Sequence, residues 1–152
     1  MDHRSVYKPA RGVWISLANL TIVFVTVTTQ NRERWAAQEI VRQTLLKAWS
    51  QAEAWVVGKY LLMPDHLYFF CAPGDPEGLT LNRWMNFWKG RFTRESTSPG
   101  WKWQSLHWDH RLCSDESYEA KWQYVVDNPV RVGLAANSGD CGWQGEVKSL
   151  VW

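Results

Sequence analysis

The chain has 152 residues, 45% hydrophobic and 21% charged, a composition that fits one globular domain and excludes an intrinsically disordered chain. Its formal net charge of +2 is too small to point by itself to a polyanionic partner, and three widely spaced cysteines without a CxxC pair exclude a disulfide scaffold and a cysteine zinc site. The twelve tryptophans are the anomaly, because indole both fills cores and stacks on nucleobases, and composition does not choose between the two.

Residues 1–152 read as a single domain with a loose N-terminal arm over 1–20 and a C-terminal tail over 135–152. Residues 22–29, IVFVTVTT, are dense in β-branched side chains and predict a strand, closed by the polar cluster Gln30, Asn31 and Arg32. From 35 to about 51, Ala37, Ile40, Val41, Leu45, Ala48 and Trp49 recur at three- and four-residue steps and predict a helix. Two strand-like runs, 55–62 and 66–72, flank Met63-Pro64-Asp65, whose Pro and Asp predict the turn of a hairpin. After the loop PGDPEG, Thr80 caps a second helix running to about Arg94. On its wheel Leu81, Trp84, Met85, Trp88 and Phe92 share an arc of about 100°, with Arg83, Arg91 and Arg94 on the adjacent arc. Residues 101–104 and 108–112 predict short strands, and Ser114 with Asp115 and Glu116 starts a third helix that Pro129 ends. The order describes an α+β protein, with a ferredoxin-like sandwich of helices on a mostly antiparallel sheet of four to five strands.

The positive charge is concentrated. Between Arg83 and Arg111 stand six basic residues and two acidic ones, a local net of +4, so the remainder of the chain is slightly acidic. No apolar run is long enough to span a bilayer, and the protein is expected to be soluble and cytoplasmic, with no membrane partner.

Two places carry the chemistry. His66 and Tyr68 lie two apart on a predicted strand and leave the same face of the sheet. A lone strand histidine is also an ordinary hydrogen-bonded structural residue, and position alone leaves both readings open. On the third helix Tyr118, Trp122, Val125, Val126 and Pro129 make the buried arc, and Tyr124 lies about 100° beyond its edge beside Lys121 and Asn128. A tyrosine there is either a half-exposed surface residue or a nucleophile facing a phosphate, with Lys121 favouring its phenolate.

The run Met63-Pro64-Asp65-His66-Leu67-Tyr68 resembles the M-P-[DN]-H-x-H segment of the REP-associated tyrosine transposases, members of the HUH single-strand endonuclease superfamily and the IS200-like group. Trp103-Gln104, Asp109-His110-Arg111-Leu112 and the run from Tyr124 to Leu134, YVVDNPVRVGL, resemble that family's W-Q, D-H-x-x-R and Y-[IV]-x-x-N-P-V-R-x-G-L signatures in the same order. Phe24 to Arg32 is similar to its first strand and turn, so the resemblance covers about residues 20 to 135.

The resemblance implies a metal-dependent endonuclease and transposase acting on single-stranded DNA at palindromic repeat hairpins, with the nucleophile on the last long helix. By position it makes Tyr124 the nucleophile that forms a 5′-phosphotyrosine, and makes His66 and Asn128 ligands of a divalent metal, Mg2+ or Mn2+. Tyr68 stands where the family has its second histidine, and a neutral phenol is a poor ligand for a hard cation. The arginine that follows D-H-x-x is also replaced, by Cys113. Asp65, His110 and Lys121 are supporting residues. The expected DNA contacts are Arg83, Lys89, Arg91, Arg94, Lys102, Arg111 and Arg131 to phosphates, with Trp101 and Trp103 offering indoles to unstacked bases. The alternative is a domesticated hairpin-binding protein whose catalysis is weakened or lost through Tyr68. Either protein is expected to be a monomer or homodimer associated with the bacterial nucleoid.

Overall fold

The computed structural model describes residues 6–10, 13–16, 22–74, 78–112, 118–128 and 143–150. The first strands, β1 (Val6–Ala10) and β2 (Val13–Ser16), pair antiparallel, so the arm read as loose carries a short ladder of its own. The main sheet is built from β3 (Val23–Thr28), β4 (Trp55–Met63), β5 (His66–Pro73), β6 (Trp108–Arg111) and β7 (Gln144–Glu146). Its order is β6-β3-β5-β4-β7, with every pairing antiparallel. Helix α1 (Glu39–Ser50) crosses from β3 to β4, and α2 (Leu81–Glu95) crosses from β5 to β6. The first four of these strands therefore lie in the spatial order fourth, first, third, second, the split β-α-β arrangement of a ferredoxin-like sandwich.

Alternation along the strands decides which side each residue serves. Val23, Val25 and Val27 of β3 and Leu67, Phe69 and Cys71 of β5 join Trp49, Trp84, Trp88 and Phe92 in the core beneath α1 and α2. The residues between them turn to the opposite face, where Ile22, Leu61, Met63 and Phe70 meet Val125 of α3 (Tyr118–Val126). Because β4 and β5 are covered on both faces, WVVGKYLLM and HLYFFCAP read as near-continuous apolar runs rather than alternating ones.

Several elements depart from the sequence reading. Helix α1 begins at Glu39, and Trp35 and Ala36 are buried ahead of it in an irregular segment pinned by the Ala36 amide donating to the Pro64 carbonyl. Ile40, placed in the apolar stripe by its spacing, is exposed. Residues 101–104 form no strand: Trp103 makes an isolated bridge to Thr29, and the segment is held by the Gln30 amide on the Lys102 carbonyl and the Gln104 amide on the Thr28 carbonyl. The tail contributes the edge strand β7. The Ser114 start of α3 and Pro129 at its end lie outside the described residues.

Candidate functional site

The site is set by how α3 docks. A register shift in β4 between Val57 and Tyr60 frees the Lys59 amide, which donates to the Tyr118 hydroxyl at 2.9 Å. Gly58 allows this approach, since a Cβ there would lie 2.6 Å from both the Tyr118 hydroxyl and Leu150 Cδ1. Tyr118 and Trp122 set their ring edges against Phe70, and Lys59 holds Glu119 at 2.9 Å. With Val125 and Val126 buried, the turn between them and Trp122 must face outward, and Tyr124 is 61% exposed. The phenol-bearing residue is therefore no core filler.

Four residues meet beneath that outward face. Phe24 and Tyr68 stack at 5.7 Å, Tyr68 presents its ring to the edge of His66 at 4.9 Å, and Asn128 Nδ2 donates to the Tyr68 hydroxyl at 3.4 Å. The Lys121 ammonium bridges this floor to the nucleophile candidate, 5.3 Å from the Phe24 ring and 5.7 Å from that of Tyr124. The structure thus brings His66, Tyr68, Lys121, Tyr124 and Asn128 to one place on the α3 face of the sheet.

His66 is oriented by a short chain of charges. Its Nδ1 donates to Asp65 Oδ1 at 2.7 Å, while Asp65 Oδ2 accepts from Arg32 Nε at 3.0 Å and pairs with its Nη2 at 2.9 Å. Burial opposes ionisation of Asp65, but the bonds from His66 and Arg32 outweigh it and hold the carboxyl below its ordinary range. Burial also holds the His66 ring below its ordinary pKa against the pull of Asp65, so the ring is neutral at pH 7. A neutral imidazole whose Nδ1–H donates to a carboxylate offers Nε2 as a lone pair, the arrangement that supports a metal-binding histidine. Asp65→Asn keeps an acceptor and removes the charge that raises the His66 pKa, so an NMR titration of His66 should move to lower pH. An unchanged or higher midpoint would show that Asp65 does not govern the ring.

Arg32 was not singled out from the sequence. It reaches Asp65 from a turn in which Asn31 and Arg32 have φ of 60° and 57°, a left-handed conformation common for asparagine and uncommon for arginine.

The donors fit a divalent cation only in part. His66 supplies an imidazole nitrogen and Asn128 an amide oxygen, but the third position is the Tyr68 phenol, and Asp65 is committed to Arg32 and His66. No group of three or more His, Cys, Asp and Glu stands together among the described residues.

The expected DNA contacts are dispersed. Arg83, Arg91 and Arg94 project from α2, on the sheet face opposite Tyr124, where Arg91 donates to Gln51 Oε1 at 3.0 Å. Lys89, expected to meet a phosphate, is buried: its ammonium donates to the Gln104 and Ser105 carbonyls at 2.8 and 3.3 Å, and burial pushes its pKa down to about 8. It ties α2 to the segment before β6. Lys102 and Arg111 are exposed, and His110 lies opposite Phe24 on the site's own face. Arg131 lies outside the described residues. Trp103, expected to stack on a base, is 7% exposed and packed among Trp35, Trp88 and Phe92, so no ring face is left for a ligand. Trp101 stacks on Trp35 at 5.7 Å and is half-buried.

No protein-family model matches the chain, and no curated protein matches it significantly. Solved structures do. A REP-associated tyrosine transposase bound to a REP hairpin superposes with a TM-score of 0.66 at 18% identity, over 95% of this chain and 81% of that one. This chain has the fold of that transposase. A protein from Deinococcus radiodurans R1, named as a transposase, superposes with a TM-score of 0.51 at 17% identity, over 80% of this chain and 96% of its own. The transposase fold here is the ferredoxin-like sandwich with α3 laid over the face that carries His66 and Tyr68. No helix among its described residues is long and apolar enough to cross a membrane.

Proposed function

We propose that this protein binds single-stranded DNA at hairpins and cleaves it through Tyr124. The observation that carries the reading is an exposed tyrosine set one helical turn before Asn128, over the His66 and Tyr68 pair, on a fold whose solved example is bound to a REP hairpin. In the reaction the Tyr124 oxygen attacks the scissile phosphorus, the bond to the 3′ oxygen breaks, and the products are a 5′-phosphotyrosine and a 3′-hydroxyl. The phenolic proton is lost as the leaving oxygen gains one, so the step is balanced without oxidant or reductant. The Lys121 ammonium stands 5.7 Å from the Tyr124 ring, where its positive charge faces the phosphate that the phenol would attack. His66 and Asn128 would hold Mg2+ or Mn2+, with Tyr68 in third place. When bound, such an ion supplies polarisation of the phosphate.

The phenol at position 68 favours a second reading, a hairpin-binding protein whose cleavage is weakened or lost. One assay separates the two. Labelled hairpin DNA with single-stranded flanks and Mn2+ should give a covalent adduct that Tyr124→Phe abolishes while leaving binding intact. Binding without adduct in the unaltered protein overturns the nuclease reading and leaves the second. Absence of binding at low salt overturns both.

A further inference from the structure

The sheet face under α3 continues beyond the site to the edge strand. Thr26 of β3 stands opposite Tyr68 on one side and opposite Trp108 of β6 on the other, so the three share one row and one face. With strands about 4.8 Å apart, Trp108 lies roughly 10 Å from Tyr68 across the small Thr26. Phe24, the floor beneath Lys121 and Tyr124, is in the next row, opposite His110. Trp108 is 63% exposed, and among the described residues its indole has no ring contact and no hydrogen bond. Nearly every other described tryptophan is buried or packed against another ring. Among the described residues β6 is the edge of the sheet, with no strand paired along its outer side.

Building on the function proposed above, we infer that the Trp108 indole is the stacking platform for an unpaired nucleobase adjoining the scissile phosphate. Leaving an indole in water forgoes the burial that this chain gives its other tryptophans, and a flat ring bordered by the polar Thr26 and His110 offers its face to one planar partner. The row from Trp108 through Thr26 to Tyr68 is continuous with the site, so it lies within one nucleotide's reach of a phosphate held at His66 and Tyr124. Stacking of this kind is sequence-tolerant, and it would hold the strand in place while the hairpin supplies recognition.

The test uses the full chain and a set of labelled DNA hairpins with single-stranded flanks, one abasic site being walked along the flanks. The unaltered protein should show one flank position at which loss of the base weakens binding most. Trp108→Ala should weaken binding of the intact probe by about 5- to 150-fold and erase the penalty at that position, while Trp108→Phe keeps part of both. The inference is overturned if Trp108→Ala binds as tightly as the unaltered protein, or loses affinity while the abasic penalty persists. It is equally overturned if the substitution abolishes self-association and leaves DNA binding unchanged, which would make Trp108 a contact between copies. Failure of the unaltered protein to bind any hairpin at low salt overturns the proposed function itself, before any variant is compared.

Discussion

Tyr68→His should raise Mn2+ affinity and metal-dependent cleavage of hairpin DNA by roughly ten- to a hundredfold, the range that even supporting groups around a metal command. The argument is one of donor chemistry. A neutral phenol hardly coordinates a hard divalent ion, whereas a neutral imidazole does so at ordinary pH. The position is right for a ligand, since residue 68 shares its face with His66 and its hydroxyl already meets Asn128 at 3.4 Å. The exchange has a structural cost, because the Tyr68 ring stacks on Phe24 at 5.7 Å and aromatic pairs contribute about 0.5–1.5 kcal/mol beyond area burial. The variant should therefore be slightly less stable while binding metal better, and those opposite signs distinguish a ligand effect from a general tightening of the fold. Metal affinity is read by Mn2+ titration without DNA and cleavage by adduct formation. If neither changes, the His66 and Asn128 pair is not a metal site. If affinity rises and cleavage does not, metal binding is not what limits cleavage, and the limit lies at Tyr124 or in the DNA contacts.

Much of this arrangement is legible in the sequence, and the reasons differ by residue. The wheel of α3 placed Tyr124 outside the buried arc because helical periodicity is a property of the backbone, and the tyrosine is indeed exposed beside Lys121. The α2 arc follows for the same reason, and Leu81, Trp84, Met85, Trp88 and Phe92 are all buried. Alternation puts His66 and Tyr68 on one face, and the hairpin turn at Pro64 and Asp65 fixes the register that sets them opposite Met63 and Leu61 of β4.

What the sequence withheld depends on distant partners. Lys89 lies beside the apolar arc of α2, and only the carbonyls of Gln104 and Ser105, contributed from beyond the helix, explain why an ammonium is buried there. Arg32 reaches Asp65 through a left-handed turn that its residue types do not require. The clustering of basic residues in the sequence gave no information about sides: α2 covers one face of the sheet and Tyr124 overlooks the other. Trp103 looked available because a two-residue step suggested a strand, yet residues 101–104 form a single bridge and the indole turns into the core.

The tryptophans serve two roles, and stability measurements divide them. Trp84→Ala should cost about 3–5 kcal/mol, because the side chain is fully buried, contacts Trp55, Phe69 and Trp88, and donates to the Ala52 carbonyl at 2.8 Å. The loss combines the burial of the ring with a cavity that neighbouring indoles are too rigid to fill, and it leaves a buried carbonyl without its donor. For a domain of this length that corresponds to a fall of about 6–20 °C in Tm. Trp84→Phe should cost less, since a ring remains and only the hydrogen bond and part of the volume go. Trp108→Ala should fall within about 0.5 kcal/mol of the unaltered protein, as removal of an unpacked surface side chain does. Urea unfolding of the three variants measures both ends of this scale. A Trp84→Ala cost below about 1 kcal/mol would contradict the core beneath α1 and α2. A Trp108→Ala cost above about 2 kcal/mol would mean that the indole supports the fold, and its exposure would no longer speak for a ligand.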